Sequence, residues 1–388
     1  MEENNPRVLR KSRQKPKLKI IQSGKVDIVF LSLLLVLVTA GLISLFSASY
    51  SYSLTNYGDS YHFIKKQAIF AVVGLVIMFA ASKIDYHIYR KFAWLIYFAS
   101  LIMLVVVLIL PPLQEGFDYK RWLKIGGFSF QPSEIAKFAI ILLFSHLISN
   151  NYKEMENWRF IGILVVLLGA VCGLVVVETH LSATLLIFAI GVSLIIIGGL
   201  KLRYVAVGLG AGVALGAGAI LSGVVGYGGD RIQSWLDPWS YYRTTGWQTI
   251  QSLLAIGSGG FLGRGIGESR QKYLWVPEPH NDFIFAIVCE EIGFVGAIAI
   301  IGLFVALIWR GYKIAMGAPD KFGSLMAIGL TLQVGLQAAL NIMVVTNTIP
   351  NTGISLPFFS YGGTALVMLM AQMGVILSIS RASTVTKS

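Results

Sequence analysis

Long apolar runs set the rhythm of this chain. Stretches of about 18 residues or more recur near 26–48, 64–82, 91–110, 133–149, 159–177, 181–200, 203–225, 282–309, 322–348 and 361–380. Each is long enough to cross a hydrocarbon core as a helix, and a helix satisfies its own backbone where no water is available. The pattern predicts an all-α, polytopic membrane protein of about ten transmembrane helices. Its organisation reads as a basic segment at 1–25, a single membrane domain at 26–380 and a short tail at 381–388. Ser47-Ala48-Ser49 loosely resembles a signal-peptidase site, but the apolar run before it is too long for a signal peptide, so the first run is read as a retained span. No internal repeat at a fixed period is evident.

Polar stretches between the runs predict where function lies. The segment 111–132 carries Lys120, Arg121, Trp122 and Lys124 and runs into Gln131-Pro132-Ser133-Glu134. The segment 227–281, between spans seven and eight, is too long for a mere connection and is rich in Trp and Gly. The segment 349–361 carries Pro350, Asn351, Gly353 and Pro357. Loops this long and this rich in turn-formers tend to be functional.

Composition agrees with lipid as the solvent. The 388 residues are 55% hydrophobic and only 13% charged, where a soluble domain is nearer a quarter charged. The net charge of +12 is a matter of position, not of nucleic-acid binding: eight basic residues, from Arg7 to Lys25, precede the first span. With ten spans both termini share a side, and that side collects 20 Lys and Arg against ten on the other. The positive-inside rule therefore makes the termini cytoplasmic and the 227–281 loop extracytoplasmic. Cys172 and Cys289 fall inside apolar runs and read as small buried side chains.

Several residues could carry chemistry. The 227–281 loop and its edge hold Arg231, Arg243, Arg264, Arg270 and Lys272 against Asp230, Asp237, Glu268, Glu278 and Asp282, with four tryptophans. A cationic, Trp-anchored surface at the outer interface suits a lipid-linked phosphate, and a charge-balanced solvated loop suits it equally. The glycines from Gly257 to Gly267 superficially suggest a phosphate nest, but no Gly-Lys-Ser/Thr follows and no strand precedes, so close backbone packing is the expected role. Asp282 opens a span after Glu278, His280 and Asn281; spacing alone leaves helix capping and catalysis balanced. Glu134 and Lys137 share one helical face, either neutralising each other or flanking a polar cavity. Glu290 and Glu291 lie within a span, where ionisable groups are expensive, and a helix–helix contact role is favoured. His180 has no matched second histidine for a zinc site and is expected at the interface.

Four motifs resemble the SEDS family (the shape, elongation, division and sporulation proteins FtsW, RodA and SpoVE): Gln131-Pro132-Ser133-Glu134-Ile135-Ala136-Lys137, the run from Gln251 to Gly260, the run from Pro277 to Ala286, and the run from Leu356 to Gly363. The resemblance covers nearly the whole chain after residue 25. It implies an inverting peptidoglycan glycosyltransferase that polymerises lipid II at the extracytoplasmic face of the bacterial plasma membrane, in division or spore-cortex synthesis. Asp282 matches the family's essential acid or base, and Glu134 and Lys137 match its important Glu and Lys. Arg231, Arg243, Gln251, Arg264, Glu278, His280 and Ser360 are expected to bind substrate. A class B penicillin-binding protein, a transpeptidase, is the implied partner, alongside lipid II, undecaprenyl-linked glycan and membrane lipid. Two departures stand out. Asn281 occupies a position where the family usually has Thr, and Glu178-Thr179-His180-Leu181-Ser182-Ala183-Thr184 replaces an aspartate-bearing motif, a variation that resembles the FtsW and SpoVE branch.

The implied chemistry suits these residues. A sugar 4-hydroxyl attacks an anomeric carbon bonded to lipid pyrophosphate, so one carboxylate suffices as base. The pyrophosphate leaves readily and needs cations, whether Arg231, Arg243, Arg264 and Lys137 or a divalent ion such as Mg or Mn. No metal ligand set is identifiable from spacing. Two other classes compete: a flippase for the lipid-linked precursor, which should show inverted repeats and a polar midplane pathway, and a non-catalytic scaffold for a transpeptidase.

Overall fold

The computed structural model describes residues 24–111, 120–125, 128–200, 204, 226–273 and 275–383. The predicted seventh span at 203–225 (Tyr204 excepted), the basic residues before Lys25 and the tail from 384 lie outside the described residues. The other nine predicted spans are helices. They are α1 (Ile28–Tyr57), α2 (His62–Lys83), α4 (Ala93–Ile109), α5 (Pro132–Asn150), α6 (Trp158–Val177), α7 (Leu181–Ile197), α10 (Ile284–Met316), α11 (Lys321–Val345) and α12 (Gly363–Ala382). Seven of them are long and apolar enough to cross a membrane, and α4 and α7 are shorter apolar helices. A short α3 (His87–Lys91) precedes α4, so the third predicted span is broken at Phe92. Helices α8 (Gly226–Leu236) and α9 (Trp247–Gly259) occupy the long loop.

Two differences from the hydrophobic pattern have physical causes. The first helix runs past Ser49 to Tyr57 and stops where Gly58 adopts a left-handed conformation, φ 69°. At 1.5 Å per residue its 30 residues span about 45 Å, more than a hydrocarbon core, so one end stands clear of it. The segment before α5 pairs as an antiparallel hairpin of β1 (Leu123–Ile125) and β2 (Phe128–Phe130), with Lys124 opposite Ser129. Strands of three residues are too short to register as a periodic signal.

Burial divides the bundle into centre and rim. In α5, α12 and α11 the most apolar stretch is 72%, 67% and 61% buried, against 28% in α2, α6 and α10. The last three turn apolar side chains such as Val76, Val166 and Val305 outward, as lipid-facing helices do. Small residues let backbones close in: a side chain at Gly374 would meet the Met78 carbonyl at 2.4 Å, and one at Gly74 would meet Met370 Sδ at 2.6 Å. The start of α1 meets the last turn of α12 at one end of the bundle. Asp27 N–H donates to Ser380 Oγ at 3.1 Å, and the Asp27 carboxylate, 2% exposed, takes Arg310 Nη2 at 2.8 Å. Because Arg310 lies far along α10 from its start, residues 278–284 sit at the opposite end.

Helix α10 is broken at Gly293, whose φ 67° and ψ −169° are extended in a mirror-image sense that side chains disfavour. The break frees backbone groups that lipid will not pair. The glycine-rich segment after α9 pairs them instead. Arg264 N donates to Glu290 O at 3.0 Å and Gly265 N to Glu291 O at 2.9 Å; Phe294 N donates to Gly260 O at 2.9 Å and Val295 N to Phe261 O at 3.1 Å. A Cβ at Gly263 would meet Glu291 O at 2.2 Å, so only glycine permits this approach. The glycines are thus backbone-packing positions, as the absence of a P-loop pattern suggested.

Glu290 fastens the same segment. Its fully buried carboxylate accepts from Ser269 Oγ at 2.5 Å, Arg270 N at 3.0 Å, Ser258 Oγ at 3.1 Å and Gln271 N at 3.2 Å. Its neighbour Glu291 pairs with Lys272 at 3.3 Å and accepts from Ser47 Oγ on α1 at 2.5 Å. Glu291 thus makes the expected contact between helices, whereas Glu290 mainly holds the loop. The break also makes a prediction. Gly→Ala inside a helix ordinarily stabilises by about 1 kcal/mol, but a Cβ at Gly293 would lie 2.2 Å from Gly263 N. Gly293→Ala should lower stability by about 2–4 kcal/mol, while Gly302→Ala, in open space on the same helix, should not lower it. Thermal melts in detergent compare the two; equal melting temperatures would refute a structural break.

Candidate functional site

The turn that presents Asp282 is held by its carbonyls. His280 O accepts from Tyr361 N at 2.9 Å, Asn281 O from Ser360 Oγ at 2.8 Å, and Asp282 O from Asn341 Nδ2 at 2.7 Å. Three consecutive peptide groups are thus tied to the 349–361 segment, its continuation into α12, and α11. Ser360 is itself fixed, since its Oγ accepts from Leu356 N at 2.8 Å. Gln67 on α2 braces the far side, donating to Ser360 O at 3.4 Å and accepting from Gly362 N at 3.2 Å. Glu278 completes the turn at φ 46°, and its Oε2 accepts from Asn281 Nδ2 at 2.9 Å. A side chain rarely occupies that backbone region unless its surroundings impose it.

This places the Asp282 carboxylate, half-buried, against Gly353, where a Cβ would sit 3.3 Å from Asp282 Oδ2. Gly353 has φ 70°, so glycine serves the turn and leaves room for the carboxylate. Burial raises the Asp282 carboxyl from 3.8 to about 6 and the negative charge of Glu278 adds to it, while Arg121 and Arg231 oppose. An acid tuned to that range can exchange a proton near neutral pH. Capping is not its role: α10 is capped by Phe283, with no side-chain cap bond.

Arg121 escaped the sequence reading as a site residue. It donates through Nη2 to Thr179 O, and its charge acts on Asp282, Glu178 and His180. The available signal was an Arg-Trp pair in the polar segment that leads directly into Gln131–Lys137. Asn341 and Gln337 also went unnoticed. With Gln333 they recur every four residues in an apolar span, which puts three amides on one helix face.

The other predicted residues fall into groups. Arg231 joins Asp282, acting on its charge while donating to Asn351 O at 3.0 Å. Glu134 and Lys137 pair at 2.7 Å with Lys137 3% exposed, and Lys137 also donates to Gln337 Oε1 at 3.3 Å. Gln337 Nε2 passes to Ser355 O at 3.1 Å, so the pair connects to the segment that holds Asp282. A small cavity, with about 30 Å³ of water-sized space, is lined by Glu134, Gln337, Ser355, Ser360 and Tyr361. Gln251 is buried on α9.

Three of the residues expected to bind substrate are engaged by other groups of the protein. His280 is buried among Phe63, Tyr52 and Tyr361, ring centroids 4.2, 4.9 and 5.9 Å away, and burial takes its imidazole down to about 4. It is a neutral, packed ring. Arg264 is committed to Glu290 at 3.6 Å and to Ser258 O at 3.2 Å, because the glycine segment carries it to α10. Arg243 is exposed, with its guanidinium 5.4 Å over its neighbour Tyr242 and its Nε bonded to the Tyr242 hydroxyl at 2.8 Å. His180, half-buried, contacts Gln131 Nε2 at 3.1 Å. Among the described residues no group of three or more His, Cys, Asp or Glu could hold a metal ion.

The sequence matches the cell cycle protein family of FtsW, RodA and SpoVE over residues 27–385. It is 38% identical over 360 residues to the stage V sporulation protein E of Bacillus subtilis, covering 92% of this chain and 97% of that protein. It is 33% identical over 356 residues to a probable peptidoglycan glycosyltransferase FtsW of a Geobacter species, covering 91% and 96%. Among solved structures, one chain from a peptidoglycan synthase complex that coordinates polymerization and crosslinking superposes with a TM-score of 0.78 at 25% identity, over 92% of this chain and 98% of that one. The rod-shape-determining protein RodA of Thermus thermophilus superposes at 0.68, also at 25% identity, with the same coverage. The motifs, the helical bundle and the turn around Asp282 thus have one explanation: the chain belongs to the FtsW, RodA and SpoVE family.

Proposed function

We propose that Asp282 is the general base of a peptidoglycan glycosyltransferase that polymerises lipid II. The observation that carries it is the half-buried Asp282 carboxyl, raised to about 6 and acted on by Arg121 and Arg231. The acceptor sugar's 4-hydroxyl gives its proton to Asp282 as its oxygen bonds to the donor's anomeric carbon. The bond from that carbon to pyrophosphate oxygen breaks on the opposite face, which inverts the centre. Undecaprenyl pyrophosphate leaves with the electron pair; Arg121 pairs with the pyrophosphate from binding onward, and Arg231 offsets the charge that develops as it leaves. A weakly basic leaving group needs no protonated partner acid, in contrast to a glycosidase. The names of its relatives support the activity and a role in division or sporulation.

A multi-pass membrane protein with this site has its termini in the cytoplasm and Asp282 at the extracytoplasmic end, where lipid II is presented. A class B penicillin-binding protein is the partner that would crosslink the product; the superposition on a synthase-complex chain supports that pairing.

Asp282→Asn keeps the carbonyl hydrogen bonds and removes the base, so polymerisation should fall at least about a hundredfold with folding intact. Lipid II polymerisation by the purified protein measures this. The base works only when ionised, so wild-type kcat should fall as pH drops through about 6, tenfold per unit below it. Robust polymer from the Asn variant would sink the assignment.

For Glu134 and Lys137, two accounts diverge. Each single neutralisation leaves a buried charge unpaired and should cost about 3 kcal/mol. The double variant Glu134→Gln with Lys137→Met should regain stability yet stay inactive, because the Lys137–Gln337–Ser355 link to the site is lost. An active double variant would make the pair purely structural.

Orientation is open to direct labelling. A cysteine at the exposed position Ser240 should react with an impermeant thiol reagent in intact cells, and one at Arg10 should not. The reverse result would invert the topology.

A further inference from the structure

Glu178 ends α6 at the same end of the bundle as Asp282. Its side chain is 1% exposed, and neither carboxyl oxygen has a hydrogen-bond partner among the described residues. A carboxylate so placed would be buried without the bonds that make a buried charge tolerable, so the neutral acid is the stable form. Burial carries it to about 8, against the opposing pull of Arg121. That arginine grips the neighbouring residue, donating to the carbonyl of Thr179, which holds a left-handed φ of 57°. The same guanidinium acts on Asp282. The charge of one cation thus acts on a carboxyl that ionises readily and on one that resists.

We propose that Glu178 is a positioning residue for the transfer: as a neutral acid it leaves the charge of Arg121 for the substrate pyrophosphate, and on ionising it takes that charge for itself. This rests on the reading in which Arg121 meets the pyrophosphate beside Asp282. No covalent step is involved; the carboxyl O–H gives its proton to solvent, and Arg121 exchanges one anionic partner for another.

The other groups facing this corner titrate elsewhere. His180, at the start of α7, is held down to about 3 by burial and then by Arg121 and Lys137, so it stays neutral throughout. Lys137 and Glu134 on α5 are paired at 2.7 Å. Asp282 titrates near 6. A transition near 8 therefore belongs to Glu178, and it should appear in substrate affinity and not in the chemical step.

The test is the pH dependence of lipid II polymerisation by the full chain, with KM and kcat separated. For wild type, KM should rise about tenfold between pH 7 and pH 9, with kcat nearly level. Glu178→Gln, fixed in the neutral state, should hold KM level over that range. The same rise in the Gln variant would overturn the proposal, as would a wild-type KM that does not change. Should the Gln variant fail to fold, equilibrium binding of lipid II to the Asp282→Asn protein serves instead: affinity should weaken about tenfold over the same range, and a flat profile refutes the role. If the Asp282→Asn protein turns lipid II over, it is the general-base reading that fails, whatever Glu178 does.

Discussion

A backbone amide or carbonyl in the interior of a membrane has to find a partner within the protein, and the break in α10 puts that constraint to structural use. Gly293 interrupts the helical ladder, and the segment 260–265 supplies the missing hydrogen bonds from its own backbone. That pairing draws the long loop down onto the helix, and Glu290 then gathers two hydroxyls and two amides to keep it there. The loop returns to the start of α10 through Pro277–Asp282. The Asp282 carboxylate is therefore presented by a segment anchored at both ends.

The anchoring fixes the surroundings of Asp282. Carbonyls 280, 281 and 282 are all taken by partners from elements distant in sequence, so the turn resists rearrangement when substrate arrives. Held in place, the Asp282 side chain sits partly out of water beside Glu278, and its proton affinity rises towards neutrality. Fixed dipoles and charges act strongly where water is scarce and cost nothing to reorganise. The cations on that carboxylate come from two different loops, Arg121 from the segment before α5 and Arg231 from α8. The site exists only when all three polar segments meet.

The centre of the bundle is built to carry polar groups. Lys137, Gln337 and Asn341 form a seam between α5, α11 and the 349–361 segment, each bonded to a neighbour on it. Such a seam costs desolvation, and it is tolerated because α5 and α11 are the most enclosed of the helices beside α12. It joins the Glu134–Lys137 pair to the support of Asp282 without direct contact between the two charges.

The sequence by itself determined the membrane helices and the three polar segments, because lipid enforces long apolar runs and leaves polar residues little choice of place. It also singled out Asp282, Glu134 and Lys137, whose motifs are local. The tertiary structure decided what the arginines do. Arg231, Arg243 and Arg264 look alike in sequence, yet one reaches Asp282, one stacks on Tyr242 and one is held by Glu290. Side-chain charge is a property of a residue, but the field it exerts depends on distance and burial, which only packing establishes. For the same reason the action of Arg121 on Glu178 emerges only in the folded chain. The break at Gly293 was likewise hidden, since a glycine in an apolar run carries no mark of its conformation until a partner backbone comes within reach.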